Sequence, residues 1–436
     1  MDNKQQIEKA NKLSLREAFA DKQVLKREII AGITGFFAIS YIIIVNPMIL
    51  KDAGISADLS VFATILSSFI GCWIMGFWAN APVILTPGMG VNAFFTYTVV
   101  VNMGLSWQEA VAISMVSSIV YVLIAFTKVS EILAKGIPDA LKAGITAGIG
   151  LFLVEIGLEK AGLIQAGKTS ILAIGDLTKP AALLALFGLV LTLFLFVRNV
   201  TGGFFIGIAV TSILGIVFNI KDQATPNVSI TDIDKYSQIL GKGDFSNVLT
   251  VPFVLAAFSM TMILVFESMG LLEGIIPSHN KFKKAFQASS VTAFLSGILG
   301  TSPTVAAAES ASATESGGRT GITAIVAGTM FAVSMFFIPL LSFVPQAAIA
   351  PVIIITGAIM MNQLSAINMY DFTDWFPAFL IVVLIPFTTS ISTGLAFGFV
   401  AYPLLKVAAK RGNELTGATW ILGVLFMCDL VLSTIL

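Results

Sequence analysis

Two glutamates in this sequence stand in apolar or small-residue surroundings, where a carboxylate is costly. Glu309 lies in GILGTSPTVAAAESASATESGGRTG (297–321), and Glu267 lies in the apolar run MTMILVFESMGLLEG (260–274). Two carboxylates accept hydrogen bonds from the N–H groups of a neutral ligand, whereas they repel an anion. A purine or pyrimidine base offers such ring N–H groups, and acids within membranes often carry protons. The pair therefore predicts nucleobase binding and proton coupling by Glu267 and Glu309.

Each acid also has a structural alternative. Glu309 would cap a helix, and Glu267 would form a hydrogen bond with a neighbouring helix. We favour a functional role for both, because an ionisable side chain at membrane depth is expensive. Glu273 and Glu315 lie nearer the ends of their apolar runs and are weaker candidates.

Four further side chains are candidate substrate contacts. Asn92 would donate a hydrogen bond to a base while Phe94 stacks on its ring. For Phe94, packing is an evenly balanced alternative, and Asn46 is similarly balanced between ligand contact and structure. Thr304 is included as well, although its hydroxyl is better placed to satisfy the local backbone.

The composition of the chain indicates a polytopic, all-α membrane protein. Its 436 residues are 56% hydrophobic and 11% charged, with a mean hydropathy of +0.93. Soluble domains carry about 25% charged residues. The formal net charge is zero, which gives no indication of a nucleic-acid partner. Membrane lipid is therefore the expected surroundings. No nucleophile–base pattern is evident, so we expect no enzymatic activity. We also expect no metal and no cofactor.

Apolar runs long enough to cross a bilayer recur along the whole chain. The fourteen runs span 29–49, 58–80, 82–103, 106–127, 138–159, 181–198, 200–220, 251–275, 283–300, 302–318, 321–343, 347–369, 375–390 and 391–409. The third and tenth open with the proline-containing pieces PVILTPGMG and GTSPTV. Proline interrupts a helix, and a break at membrane depth is tolerated where it is buried in protein or lines a cavity. These two segments therefore predict the position of the binding site.

The distribution of basic residues predicts the orientation. With a cytoplasmic N-terminus, 18 of the 25 Lys and Arg residues face the cytoplasm, and the other seven are Lys51, Lys160, Lys168, Lys179, Lys221, Lys235 and Lys242. This bias agrees with the positive-inside rule. We expect a multi-pass protein of the inner (plasma) membrane with its N-terminus in the cytoplasm. Whether the apolar run 418–435 crosses the membrane or lies on its surface stays open.

Weak internal symmetry relates the two halves of the chain. FFAISYIIIVNP (36–47) aligns with AFSMTMILVFES (257–268), LTPGMGVNAFF (85–95) with TSPTVAAAESA (301–311), and NVTGGFFIGI (199–208) with SISTGLAFGF (390–399). Seven segments in each half would give the halves opposite orientations. Inverted repeats of this kind are typical of secondary transporters.

Two motifs carry a family resemblance. TPGMGVNAFF and GTSPTVAAAESASATESGGRTG closely resemble signatures of the AzgA-like branch of the nucleobase:cation symporter-2 family, whose members carry hypoxanthine, guanine or adenine. The resemblance extends from REIIAGITGFFAISYIIIVNP to FGFVAYPLL. It implies fourteen transmembrane segments in two inverted seven-helix repeats, short extended strands in segments 3 and 10, proton-coupled purine uptake and a homodimer. By motif position, Glu267 and Glu309 match the acidic site residues of the family.

The resemblance also implies a division of the chain into two membrane domains. The core would comprise 29–127 and 251–343, and the gate 128–220 and 344–411. The remaining parts are a cytoplasmic segment (1–28), an extracellular loop (221–250) and a C-terminal hydrophobic segment (412–436).

Two departures from the family pattern indicate a reshaped pocket. FESMGLLEG stands where this branch commonly has Asp, and Ala308 precedes Glu309 where a larger residue is common. We therefore count Ala308 among the substrate-binding candidates. The alternative is a transporter of another small solute, such as xanthine, uracil or an anion, on the same inverted-repeat fold.

Overall fold

The computed structural model describes residues 13–167, 172–220, 230–276 and 279–435. In these ranges, nine helices are long and apolar enough to cross a membrane, and three shorter ones, Gly203–Val217, Phe372–Thr388 and Gly417–Leu432, are also apolar. Large apolar side chains such as Val197, Val217 and Phe336 are about three-quarters or two-thirds exposed. An apolar exterior of this kind suits lipid rather than water. The fold is therefore that of a mainly helical, multi-pass membrane protein.

Among its described residues, the first half contains ten α-helices and three strands. They are α1 (Leu15–Ala20), α2 (Lys22–Ile39), α3 (Ile42–Asp52), α4 (Ala57–Ile74), β1 (Leu85–Pro87), α5 (Met89–Ala93), α6 (Trp107–Phe126), α7 (Val129–Gly136), α8 (Asp139–Lys160), β2 (Ile164–Ala166), β3 (Leu172–Ile174), α9 (Pro180–Val197) and α10 (Gly203–Val217). Helix α4 continues as a π-helical turn over Met75–Ala79, and α5 continues likewise over Phe94–Asn102.

The second half has a similar order of elements. It contains α11 (Val251–Ile275), α12 (His279–Ile298), β4 (Thr304–Ala306), α13 (Ser310–Glu315), α14 (Gly321–Ser334), α15 (Gln346–Met360), α16 (Phe372–Thr388), α17 (Ile391–Ala408) and α18 (Gly417–Ile435). In each half, a short strand and a short helix follow a long helix: β1 and α5 follow α4, and β4 and α13 follow α12.

The two broken segments meet as a buried antiparallel strand pair. Strand β1 pairs with β4 in the register Leu85↔Ala306, Thr86↔Val305 and Pro87↔Thr304. Two flanking bonds extend the ladder: the Gly88 N–H donates to the Pro303 carbonyl at 3.1 Å, and the Ala307 N–H donates to the Ile84 carbonyl at 2.9 Å. Each strand thereby supplies hydrogen-bond partners for backbone that the prolines exclude from a helix.

Two elements outside the apolar segments were not predicted from the sequence. Strands β2 and β3 form a hairpin within the loop that follows α8. In the predicted extracellular loop, a 3₁₀-helix spans Ile230–Gln238, and the Tyr236 hydroxyl donates to the Leu299 carbonyl at 2.6 Å. This bond fixes the loop to the end of α12, directly before β4.

Glu28 belongs to the folded bundle, although the sequence places it at the end of the N-terminal segment 1–28. Residues 1–12 of that segment lie outside the described ranges, and α2 already begins at Lys22. The Glu28 carboxylate is buried and accepts hydrogen bonds from the backbone N–H groups of Arg319 and Thr320 and from the Thr323 hydroxyl. It therefore caps the start of α14 from a distant part of the chain.

A cluster of charged side chains joins α16 and α17 to the turn before α18. Lys406, only 1% exposed, places Nζ 2.8 Å from Asp374 Oδ1 and 2.8 Å from Glu414 Oε2. Arg411 Nη1 lies 2.6 Å from Asp371 Oδ2. The Thr373 hydroxyl and the Arg411 guanidinium lower the pKa of Asp371 to about 2, so this carboxylate stays ionised at physiological pH. The ammonium of Lys406 is thus the buried centre of the cluster.

We expect Lys406→Met to destabilise the protein by about 2 kcal/mol, since it leaves carboxylates without their buried counter-ion. The three carboxylates are partly exposed, so the loss is smaller than for a fully buried pair. The measurement is the midpoint of thermal unfolding in detergent. Lys410→Met removes an exposed charge four residues away and is the control. Equal midpoints for the two variants would contradict a structural role for the cluster.

Candidate functional site

Glu267 lies deep in the bundle, beside the turn that joins β1 to α5. Its side chain on α11 is 8% exposed. A β-carbon built on Gly90 would lie 3.1 Å from Glu267 Oε2, and one built on Gly88 would lie 3.6 Å from Oε1. Glycine at both positions therefore lets the carboxylate approach the start of α5. Within the described residues, Glu267 Oε2 has no hydrogen-bond partner.

Glu309 lies on the other strand's side, in the turn between β4 and α13. Its Oε1 accepts a hydrogen bond from the Tyr41 hydroxyl, which lies between α2 and α3. The Tyr41 oxygen in turn accepts a hydrogen bond from Thr356 Oγ1 on α15 at 3.4 Å. The carboxylate is thus held by residues from two other segments.

A cavity of about 560 Å³ adjoins Glu309. We call it the Glu309 cavity. Its lining comes from α2, the α9–α10 turn, α13 and α15, and includes Thr34, Asn199, Phe204, Ala308, Glu309, Ser312 and Thr356. Ala308 is exposed there, and its small side chain leaves space in the cavity beside Glu309. The structure thus brings two predicted site residues, Ala308 and Glu309, to one cavity wall.

The other predicted site residues do not line this cavity. Asn92 and Phe94 are fully buried on the segment that follows β1, and Thr304 is fully buried in β4. Neither the oxygen nor the nitrogen of the Asn92 amide has a hydrogen-bond partner in the described part of the chain, and the Thr304 hydroxyl also has none. Glu267 Oε2, the Asn92 amide and the Thr304 hydroxyl are thus buried polar groups without partners in the described residues, on the strand pair or on segments beside it. Such atoms require explanation, because burying them costs free energy.

Asn46 differs from Asn92, although both are candidate substrate contacts in the sequence. The Asn46 amide nitrogen donates to Thr64 Oγ1 at 2.8 Å and to Thr301 Oγ1 at 2.9 Å. Its oxygen accepts from the Ser302 hydroxyl at 3.2 Å. Asn46 is fully buried and already ties α3 to α4 and to the approach to β4. These bonds describe a structural link between segments.

Sequence reasoning did not single out Tyr41 and Thr356. Tyr41 interrupts the aliphatic stretch of the first repeat, so a polar tip in that run was a usable signal. Thr356 is one hydroxyl in APVIIITGAIM, and nothing local distinguishes it. Both are recognisable only through Glu309, which is 268 positions from Tyr41 in the chain.

An ion pair closes the end of the bundle away from the Glu309 cavity. Thr34, on the cavity wall, precedes Tyr41 along the first segment, whereas Asp52 lies at the far end of α3. Asp52 Oδ2 accepts hydrogen bonds from Lys160 Nζ at 2.6 Å and from the Tyr97 hydroxyl at 2.7 Å. Lys160 ends α8, so this contact joins the first, third and fifth predicted segments.

No group of three or more His, Cys, Asp or Glu side chains that could hold a metal ion occurs within the ranges that the structure describes. The polar atoms of the site suit a neutral organic ligand with donors and acceptors. The site combines two acids at membrane depth with a strand pair inside a helical bundle and a cavity beside it. This combination is typical of a membrane transport protein. The profile of the permease family (Xan_ur_permease) matches residues 26–397, and the chain belongs to this family.

Several relatives that cover most of this chain are named as transport proteins for nucleobases. The nucleobase transporter PlAzg2 of Paenibacillus larvae is 40% identical, over 87% of this chain and 77% of the relative. The guanine/hypoxanthine permease PbuO of Bacillus subtilis is 35% identical over 93% and 97%, and the adenine permease AdeQ of Escherichia coli is 36% identical over 94% and 93%. The resemblance to purine permeases inferred from the two motifs is confirmed.

Solved structures show the same fold at low sequence identity. The transmembrane domain of the cyanobacterial bicarbonate transporter BicA gives a TM-score of 0.63 at 14% identity, covering 87% of this chain and 98% of that domain. The murine anion transporter Slc26a9, in its inward-facing state, gives 0.65 at 12% identity over 88% and 68%. These likenesses concern the fold alone.

Two asparagine variants test whether the unsatisfied Asn92 amide lowers the stability of the protein, as expected for a group kept for function. We expect Asn92→Leu to raise the midpoint of thermal unfolding of the base-free protein, because it removes unpaired buried polar atoms that cost about 1–3 kcal/mol. Asn46→Leu should lower the midpoint, since it deprives Thr64 and Thr301 of their partner. A loss of stability in Asn92→Leu as large as that in Asn46→Leu would show that Asn92 is structural.

Proposed function

We propose that this protein is a secondary active transporter that imports purine bases, namely hypoxanthine, guanine or adenine, by proton symport and alternating access. The observation that carries the proposal is the partly exposed Glu309 carboxylate beside Ala308 on the wall of a cavity of about 560 Å³. The names of relatives at 35–40% identity support purine bases as the substrate class.

Base recognition would use the acceptor oxygens of the two acids and the Asn92 amide, which has no partner among the described residues. A carboxylate accepts hydrogen bonds only, so Glu309 and Glu267 suit the N–H edges of a base. The Asn92 amide both donates and accepts, and therefore suits an edge with a ring nitrogen or carbonyl beside an N–H group. Phe94 and Thr304 would complete the site near the strand pair. Asn46, whose polar atoms are satisfied by protein groups, would support the site from behind.

Transport would require the site to be open first to one side of the membrane and then to the other. With the predicted cytoplasmic N-terminus, the Glu309 cavity would face the cytoplasm, because Thr34 and Asn199 on its wall lie at the cytoplasmic ends of their segments, whereas Lys160 lies on the outer side. An imported base would therefore enter after a rearrangement that breaks the Asp52–Lys160 contact, and it would leave through the Glu309 cavity. Proton carriage by Glu267 and Glu309 would neutralise acids that are otherwise costly at this depth.

The proposed membrane architecture follows the sequence prediction. Fourteen crossings in two inverted seven-helix repeats would form a core (29–127 and 251–343) and a gate (128–220 and 344–411). The chain would lie in the inner membrane with segment 1–28 cytoplasmic, loop 221–250 extracellular and 412–436 following the last crossing. Assembly as a homodimer is part of the same proposal.

An anion is less well suited to this site than a base. Arg319 is the basic residue nearest in sequence to Glu309, but its Nη1 donates to the carbonyls of Thr314 at 2.6 Å and Gly318 at 2.7 Å. Its backbone N–H donates to Glu28. A guanidinium committed to backbone carbonyls offers little to an anion, and two acids would repel one.

Uptake assays test the substrate and the two acids together. In a strain without its own purine carriers, we expect uptake of at least one of radiolabelled hypoxanthine, guanine and adenine, and its collapse on addition of a protonophore. Glu267→Gln and Glu309→Gln should each lower uptake at least about 100-fold, because a buried site loses a charged acceptor worth roughly 1.5–3 kcal/mol and a proton carrier.

Glu273→Gln is the matched control, since Glu273 lies on the same helix as Glu267 but is exposed. It should transport like the parent protein. Membrane levels of each variant are measured by fluorescence-detected size exclusion. Uptake of all three bases at background by the parent protein would remove the substrate assignment, and normal uptake by both acid variants would remove the site assignment.

A further inference from the structure

Tyr41 lies at the bend between α2 and α3, and its side chain is 1% exposed. Its hydroxyl donates to Glu309 Oε1 and is in turn the acceptor for Thr356 Oγ1. We propose that Tyr41 is a positioning residue that presents the Glu309 carboxylate to the nucleobase in the Glu309 cavity. This inference rests on the proposed function and adds a residue that acts through Glu309 rather than on the base itself.

The bond from Tyr41 gives the two carboxylate oxygens of Glu309 different partners. A glutamate carboxylate has about four acceptor positions on two oxygens, and a hydrogen bond to an ionised acceptor is short and strong. With Oε1 held by the Tyr41 hydroxyl, Oε2 remains for an N–H group of the ligand. The bond also restricts the glutamate side chain, whose rotamer freedom would otherwise be lost on binding.

The tyrosine is itself held by two elements that line the Glu309 cavity. The Phe204 ring on α10 packs edge-on against the Tyr41 ring, with ring centroids 5.4 Å apart and planes at 85°. Thr356 on α15 orients the hydroxyl from the other side. Phe204 and Thr356 both belong to the cavity wall. The orientation of Glu309 therefore depends on α10 and α15 packing against the first segment.

This arrangement gives Tyr41 a distinct effect on transport. Removing its hydroxyl leaves the carboxylate in place but takes away one donor and the restraint on the side chain. The base should bind more weakly, while steps that follow binding are less affected. A purely structural role would instead lower the amount of folded protein and leave the affinity for the base unchanged.

We expect Tyr41→Phe to raise the KM for uptake about tenfold, with a change in maximal rate of less than about threefold, because the carboxylate loses the hydrogen bond that orients it; a tenfold change corresponds to about 1.4 kcal/mol. Thr356→Val removes only the long bond behind the hydroxyl and should raise KM by about two- to threefold. Tyr121→Phe is the matched control, since Tyr121 is also fully buried and donates to the Phe286 carbonyl at 3.4 Å.

Binding to the purified proteins separates action through Glu309 from action elsewhere. Isothermal titration with hypoxanthine, guanine and adenine should give a Kd about tenfold higher for Tyr41→Phe than for the parent. In the Glu309→Gln background, adding Tyr41→Phe should change the remaining affinity, or the base-induced thermal shift, by less than about twofold. Additive losses in the double variant would overturn the inference.

The outcomes distinguish this inference from the proposed function. If the parent protein transports and binds none of the bases, the proposed function fails. If the parent transports a base and Glu309→Gln abolishes uptake, but Tyr41→Phe has the KM of Tyr121→Phe, only the role of Tyr41 fails. Should Tyr41→Phe not accumulate in the membrane, an unchanged KM in Thr356→Val overturns the inference, and the expected rise supports it.

Discussion

The structure depends on the pairing of two three-residue strands inside a helical bundle. At membrane depth, backbone N–H and C=O groups must find partners within the protein. Pro87 and Pro303 break the third and tenth segments, and β1 and β4 satisfy the freed groups by bonding to each other. The pair joins residues more than 200 positions apart, and it brings the two halves of the chain together at one point. The positions of α5 with Asn92 and of the turn with Glu309 both follow from it.

The strand pair also separates the two acids by their surroundings. Glu267 approaches the start of α5 beside Gly88 and Gly90. A β-carbon on Gly90 would crowd the carboxylate, one of whose oxygens has no partner in the described chain. Glu309 is partly exposed to a cavity and is bound by Tyr41. The sequence shows two similar glutamates in apolar runs, yet their environments differ. Glu309 lies at a cavity wall with a hydrogen bond from Tyr41, while Glu267 is buried and has one carboxylate oxygen without a partner in the described residues.

The sequence predicts features that depend on neighbouring residues, but it does not predict contacts between residues that are far apart in the chain. Apolar runs and prolines mark the segments and both breaks, because length and missing N–H groups act within a few residues. Each of the fourteen predicted runs overlaps a helix or a broken segment of the structure. In contrast, both Asn46 and Asn92 are candidate ligand contacts in the sequence, and only the structure shows that Thr64, Thr301 and Ser302 bond to Asn46. Glu28 likewise looks like part of a charged tail until its partners at the start of α14 are known.

The ion pair at the end away from the Glu309 cavity is weak, and this bears on how a ligand could drive the proposed transport. The Asp52–Lys160 pair is partly exposed, so it contributes only about 1 kcal/mol and does not by itself hold one arrangement. A ligand shifts an equilibrium only through its different affinity for the two states. Among the described residues, Glu267 and Asn92 have buried polar atoms without hydrogen-bond partners. Under the proposed alternating access, a base that bonds to these atoms in only one arrangement would supply such a difference in affinity, and the cost of leaving them unsatisfied would be its source.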